Sequence, residues 1–475
     1  MNRKPLSRCP FGYQKLEPRQ MLASIAFDSG ILVVTGDATN DIIDLVGSAD
    51  FQSFTVSINS DPALTETFQY SDVTDLTVFA GAGNDRVNNT LLRDTQINGG
   101  NGNDFIQGGF RNDTLFGGNG IDTLIGRNGN DALHGEAGID WLYGGNGIDS
   151  LVGAAGNDRL FGGTGDDVLE GNGGRDSLFG QDGDDELFGG ADDDRLFGES
   201  GDDMIIGANG DDVLIGGTGD DRLNGNAGRD LLNGNSGDDI INGGVEDDFV
   251  NGGTGNDVIF GGDGNDNLSG NGGGDKIDAG AGDDDVFGGS GADVLFGFAG
   301  RDQIEGSSGD DRIQGGSDDD RIIGGSGNDS LFGNEGDDIV IGDDGNDLIR
   351  GGDGDDSFSG GFGADLIFGE DGDDMFVEIN QNDRLFGGAG NDEFFSGVAV
   401  NLDLQINGEL GLDLIVVDGA RPDYRVSREG SQNFRVDDLG TPTRIAGSTY
   451  ELINMEEIIF FGTSTDRIRL DDAVN

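Results

Sequence analysis

From Asp104 to Asp392 an aspartate falls on every ninth residue, 33 of them with no slip. A hard divalent cation such as Ca²⁺ takes six to eight oxygens from carboxylates and backbone carbonyls, without demanding geometry, and a turn that ends in Asp offers that set. The ladder therefore marks as metal ligands Asp104, Asp113, Asp122, Asp131, Asp140, Asp149, Asp158, Asp167, Asp176, Asp185 and Asp194. It continues through Asp203, Asp212, Asp221, Asp230, Asp239, Asp248, Asp257, Asp266, Asp275, Asp284 and Asp293. It closes with Asp302, Asp311, Asp320, Asp329, Asp338, Asp347, Asp356, Asp365, Asp374 and Asp392. Carboxylates stacked about 4.8 Å apart along one edge repel one another, and a cation between each pair turns that repulsion into a bond. Many calcium ions are implied, roughly one per repeat. Turn chemistry alone would accept Asn or Ser at some of the 33 positions, and none occurs.

The elements that hold these carboxylates follow from the residues around them. Two positions after each Asp the residue is apolar without exception, as at Ile106, Leu115, Leu124, Phe376, Leu385 and Phe394. Gly stands two positions before the Asp at 28 of 33 sites, and five before it at 31, failing only at Ala279 and Glu378. The unit is Gly-Gly-x-Gly-x-Asp-x-U-x, with U apolar. Its Gly-rich half reads as a tight turn and its x-U-x half as a three-residue strand with the middle side chain inward. Two units close a coil, and about 16 coils stack into a rod about 80 Å long. One buried side chain per nine residues is a thin core for so much ordered, Gly-rich backbone, so folding should be coupled to metal binding.

Departures from the unit carry their own expectations. Where the Gly two before Asp is replaced, at Arg111, Asp192, Glu246, Asp318 and Gln381, the turn must change. The turn before Asp383 loses three glycines, to Glu378, Ile379 and Gln381, which marks Asp383 as the weakest or an empty site. Asn one residue before the Asp, at Asn103, Asn157, Asn256 and Asn346, should cap its turn. The register is strict only from Asp104. Asp94 keeps the nine-residue step from the irregular unit Gly81-Ala82-Gly83-Asn84-Asp85-Arg86-Val87, but Asp104 lies ten further on.

The flanks read differently. Residues 24–98 alternate apolar and polar, as in Ile31-Leu32-Val33-Val34 and Phe54-Thr55-Val56-Ser57-Ile58, and predict strands. Residues 396–475 do the same at Leu412-Asp413-Leu414-Ile415-Val416-Val417 and Glu457-Ile458-Ile459-Phe460-Phe461. A solenoid needs caps, and these segments are placed to supply them.

Composition narrows function. With 93 acidic and 27 basic side chains the formal net charge is -66, which opposes compaction unless cations neutralise it and excludes nucleic acid as a partner. Cys9 is the only cysteine and His134 the only histidine, so neither a disulfide framework nor a zinc site built on two histidines is available. His134 occupies an ordinary repeat position and should face outward. The flanks contain no H-E-x-x-H or G-x-S-x-G motif, which argues against an enzyme. No apolar run approaches the ~20 residues of a transmembrane segment.

The repeat resembles the RTX, or hemolysin-type, calcium-binding nonapeptide repeat. The stretch Asp149-Ser150-Leu151, Gly156-Asn157-Asp158-Arg159-Leu160, Gly162-Gly163 and Asp167 carries the signature, which covers residues 99–395. The resemblance implies a parallel β-roll like that at the C-terminus of serralysins, with each Ca²⁺ held by carbonyls and Asp side chains of successive coils. It also implies a chain disordered at low calcium that folds after export. Asp413 to Tyr424, followed by Leu452 to Phe461, resembles the β module that closes such arrays. Leu16-Glu17-Pro18-Arg19-Gln20-Met21-Leu22-Ala23 resembles the LEPR-XLL segment at the start of large bacterial extracellular proteins, and Arg3, Lys4 and Arg8 before it fit an export leader. The apolar run from Met21 to Phe27 is short and interrupted by Ser24, which does not suit a cleaved signal peptide.

The expected architecture is all-β. It is a right-handed parallel β-roll solenoid of about 33 nonapeptide repeats at residues 99–395, with a leader at 1–23 and β caps at 24–98 and 396–475. The expected function is calcium binding in a secreted or cell-surface structural or binding protein whose folding depends on calcium. Besides calcium, its partners would be cell-surface or matrix components. The alternatives are a surface adhesin using outward residues of the roll and, behind it, the non-catalytic tail of an enzyme system. Phe260, Phe296, Phe332, Phe368 and Phe386 recur on one face at multiples of 18 residues, as partial packing or as a partner-binding stripe.

Overall fold

Residues 18 positions apart lie side by side in parallel strands. Arg159–Thr164 pairs with Ser177–Asp182 in the register Arg159↔Ser177, Leu160↔Leu178 and Phe161↔Phe179, and the same step carries Ser177–Asp182 onto Arg195–Ser200. The alternate repeats build a second sheet in the same way, as Ser150–Ala155 on Val168–Gly173 and Val168–Gly173 on Glu186–Ala191. The computed structural model describes residues 23–380 and 382–396. Beyond them it describes only the backbone of the strands Gln405–Leu410, Leu414–Asp418, Tyr424–Glu429, Asn433–Asp438, Thr449–Ile453, Glu457–Phe461 and Asp466–Arg469. The leader segment through Leu22, with Cys9, lies outside the described residues.

The pattern of one inward side chain per repeat is obeyed closely. Leu160, Leu178, Leu196 and Leu214 are fully buried in one sheet, and Leu169, Leu187, Ile205 and Leu223 in the other. Each shields about 2 kcal/mol worth of apolar surface, so a column of them favours like-on-like stacking at every step. The strands are longer than the sequence predicts. Most run six residues, because the first two glycines of each unit continue the ladder before the chain turns, as in Arg159-Leu160-Phe161-Gly162-Gly163-Thr164. The turn that follows needs backbone that only glycine adopts freely: Gly165 has φ +114°, and a Cβ there would strike the carbonyl of Gly147 in the coil below.

The chain packs as two compact units, Met1–Gly145 and Asn146–Asn475. In the first, coiling begins before the regular repeats. Ile31–Thr35 lies parallel on Asp75–Ala82, and Ile42–Gly47 on Arg86–Asn89. Antiparallel partners close this end: Ser24–Asp28 pairs Ile31–Thr35, and Ser53–Ile58 lies between Ile42–Gly47 and Thr65–Gln69. In the second unit Gln405–Leu410 and Leu414–Asp418 continue the coils beyond Asp392, and Thr449–Ile453 and Glu457–Phe461 stack on them. Antiparallel strands again close the end. There are thus more coils than the nine-residue ladder alone accounts for, because both caps are built on coils of their own.

His134 stacks on Phe116 at 4.9 Å between ring centroids on the outer face. The five phenylalanines do share one sheet, each third in its strand. Neighbours lie over three of them, Arg312 4.6 Å over Phe332, Arg350 4.6 Å over Phe368, and Phe368 stacked on Phe386 at 4.8 Å, while Phe260 is 36 % exposed. All five stand in the middle of their strands. Among the described residues no helix is long and apolar enough to cross a membrane.

Candidate metal centre

The aspartate ladder is two ladders. Because a coil takes 18 residues, alternate members stand in separate rows, each where the chain enters one of the two sheets. Within each unit the carboxylates of a row are tied to the coil before them: Asp212 N–H donates to Asp230 Oδ1 at 2.7 Å, Asp230 N–H to Asp248 Oδ1 at 2.8 Å, and Asp221 N–H to Asp239 Oδ1 at 2.8 Å in the other row. All 33 members are at least 97 % buried. The expectation of a row along one edge is corrected, since each coil has two acidic corners and the carboxylates form two rows.

The second oxygen is the chemically informative one. Oδ2 of Asp104, Asp122, Asp167, Asp212, Asp248 and Asp320, among many others, is buried without a hydrogen-bond partner. An unsatisfied carboxylate oxygen is costly to bury, and a long row of them points to a missing positive partner. The space beside all but one of these ladder oxygens is kept open by the Gly five residues earlier, Ala279 before Asp284 being the exception. A Cβ on Gly243 would lie 2.5 Å from Asp248 Oδ2 and 2.8 Å from Gly261 O, and one on Gly117 would lie 2.6 Å from Asp122 Oδ2 and 2.8 Å from Gly135 O. A carboxylate oxygen and a carbonyl of the next coil therefore meet over a glycine. Among the described residues no three acidic, His or Cys side chains converge. A cation here must draw mainly on backbone oxygens, which suits a hard ion such as calcium and not zinc.

Electrostatics agree. Burial lifts the Asp194 carboxyl to about 8, above what the hydrogen bond from Asp176 can offset, and the neighbouring charges of Asp176 and Asp212 add to the rise. Asp320 and Asp374 are pushed to about 8 by the same burial, and Asp239 to about 6. Without a counter-ion much of the ladder would sit partly protonated at neutral pH.

The rows are not uniform. Asp113 Oδ2 accepts from Gly109 N–H at 2.5 Å, and Asp383 Oδ2 from Asn380 N–H at 2.7 Å, so backbone donors already occupy the position that stays open in other coils. For Asp383 this agrees with a weak or empty site. For Asp113, counted among the ligands on spacing, it argues the same way.

Sequence counting also missed members. Asp41 N–H donates to Asp85 Oδ1, and Asp85 N–H to Asp104 Oδ1, each at 2.7 Å, so this row starts at Asp41. In the other row the member before Asp113 is the buried Thr95, whose N–H and hydroxyl both donate to Asp113 Oδ1. Asp94, which keeps the nine-residue step, is exposed. The signal for Asp41 was present as Gly36, Asn40-Asp41 and Ile43 at the offsets of the unit, hidden because 44 residues rather than 18 separate it from Asp85 in the next coil.

The turn substitutions behave in two ways. Asp192, Glu246 and Asp318 keep φ at 72°, 77° and 78° and the strands before them keep six residues, so these turns do not change, contrary to expectation. Left-handed backbone costs such residues about 1–2 kcal/mol each, and Glu246 N–H bonds Asp263 O in the next coil at 2.7 Å. At Arg111 the turn does change, and the strand before it shrinks to Phe105–Gln107. Gln381 lies outside the described residues. Asn103, Asn157, Asn256 and Asn346 do more than cap their turns: each side-chain oxygen accepts the N–H of the residue 18 positions on, at 2.9 to 3.1 Å.

A family model described as the RTX calcium-binding nonapeptide repeat (4 copies) matches the chain in successive windows from residue 91 to 376, and again at 380–398. The interval between them falls on the turn that loses its glycines before Asp383. No curated protein matches the chain closely enough to count as a relative.

Proposed function

The chain belongs to the RTX calcium-binding nonapeptide-repeat family, whose repeats bind calcium, and from that premise we propose that its two aspartate rows are the binding sites and that the ions hold the roll together. The observation that carries this reading is the row of buried Oδ2 atoms, many of them set beside a carbonyl of the next coil over a glycine, as Asp122 and Asp248 are. Asp85 and the 33 ladder positions except Asp113 and Asp383 would each contribute one carboxylate oxygen. Bound calcium supplies positive charge at these oxygens. The chain's own part is to orient the carboxylates through their Oδ1 bonds, to exclude water through the apolar columns, and to present carbonyls from Gly-rich turns. About 30 ions would bring about +60 and nearly cancel the formal charge of -66.

Such a chain suits calcium-rich surroundings outside the cell, as a secreted or surface-held structural or binding protein without catalysis. The extreme acidity supports this, since without divalent ions the coils repel one another.

Equilibrium dialysis followed by elemental analysis tests the assignment. The wild-type chain should retain about 30 calcium ions, the chain carrying D221N, D230N, D239N and D248N about four fewer, and the D113N/D383N chain the same number as wild type. Asn preserves Oδ1 as an acceptor in each case, so the difference reads the second oxygen. Fewer than about five ions on the wild type, or equal losses in both variants, would overturn the assignment.

A further inference from the structure

The turn that closes Asp383 also opens a cleft in the side of the roll. Along this edge Gly309 N–H bonds Ser326 O, Gly327 N–H bonds Asp344 O and Gly345 N–H bonds Phe362 O, each at 2.8 Å. The next step would bring Gly363 N–H to Asn380 O. Asn380 instead gives its backbone N–H to Asp383 Oδ2 and its side-chain amide to Gly361 O. The strands here stop early, at Ser357–Ser359 and Met375–Val377, and Glu378 turns at φ +50°. What results is a cleft of about 820 Å³ whose lining steps in 18s from Ser307 to Ile379. Phe362, 76 % exposed, and Ile379 give it apolar surface; Asp343, Asp344 and Glu378 give it three carboxylates, and no basic side chain lines it.

We propose that this cleft docks an extended segment of a partner protein through an arginine side chain. A guanidinium is the group that both stacks on an exposed phenyl ring and pairs in a fork with carboxylates, whereas a bare metal ion would leave the apolar surface unused. The four 18-residue steps of the lining at about 4.8 Å each match about five residues of extended peptide. Charge favours the same occupant, because a chain of net charge -66 attracts a basic segment to any acidic recess. The site thus makes use of the coil where the metal ladder lapses. It does not depend on Asp383 holding an ion.

An array of immobilised extended pentapeptides, with a central Arg, Lys, citrulline or Glu between Leu or Phe residues, tests this against the full-length calcium-loaded chain. Arg peptides should bind, citrulline peptides should bind at least about tenfold more weakly, and Glu peptides should not bind. Phe362→Ser and Asp344→Asn should each weaken the Arg peptide about tenfold, while Asp353→Asn, exposed on another turn, should leave it unchanged. Phe362 is too exposed for its loss to unfold the coil, and circular dichroism of each variant checks that. No binding to any peptide, equal binding of Arg and citrulline, or wild-type affinity in Phe362→Ser and Asp344→Asn would overturn the proposal.

Discussion

Stripped of calcium by desalting, the chain should show strand structure at pH 5 that it lacks at pH 8. The buried carboxyls fix the direction. In the folded roll, burial raises Asp194, Asp320 and Asp374 to about 8, Asp122 and Asp212 to about 7, and Asp239 and Asp302 to about 6, against the ordinary 3.8. Between about pH 4 and these values the folded state holds more protons than the unfolded chain, so stability falls as pH rises. The stabilisation is fully present below about 4 and is lost as pH climbs through about 6 to 8. Protons and calcium would thus be alternative partners of the same oxygens, and calcium affinity should weaken in acid for the same reason. Far-ultraviolet circular dichroism of the metal-free chain across this range reads the effect. A coil signal that does not change from pH 8 to pH 5 would show that the ladder carboxyls do not limit folding.

Leu232→Asp should destabilise the calcium-loaded chain by about 4 kcal/mol or more, whereas Leu231→Asp, one residue away, should cost less than about 1 kcal/mol. Leu232 is fully buried in its column between Leu214 and Val250, and Leu231 is 42 % exposed on the outer face. A carboxylate at 232 would have no donor and no carbonyl-lined gap to share with an ion. With one inward side chain per repeat, no neighbouring side chain can take over the lost contacts. Because each coil touches only the coils beside it, the break should separate the denaturation of the two flanking segments. Guanidinium denaturation in saturating calcium measures both. Equal costs for the two variants would mean that the columns are not the core.

Much of this was legible in the sequence because the repeat is strict. The offsets of U and of Gly from Asp predict parallel coils, buried columns and inward turns, and Leu160 and Gly165 occupy the places those offsets require. What the count of nine could not show is that space is counted in coils. Asp94 keeps the step and lies exposed, while Thr95 takes the buried position, because an added residue between the strands Arg86–Asn89 and Gln96–Asn101 shifts the frame by one. Asp41 and Asp85 belong to a row that an insertion disguises. Asp113 has the right identity and spacing, yet a nearby N–H satisfies it, and the trace this leaves in the pattern is Arg111 in place of the turn glycine, not any change at the aspartate. Left-handed Glu246 shows the converse: a residue ill suited to the turn adopts it, its N–H bonded to Asp263 O in the next coil.

The proposal that calcium ions hold the roll is tested most directly by a calcium titration of the full-length chain at pH 7.5, followed by circular dichroism. The expected result is a disordered spectrum without calcium, a cooperative rise of strand signal as calcium is added, and its loss when EGTA is supplied in excess. Strand signal that is present before calcium is added and unmoved by EGTA would contradict it.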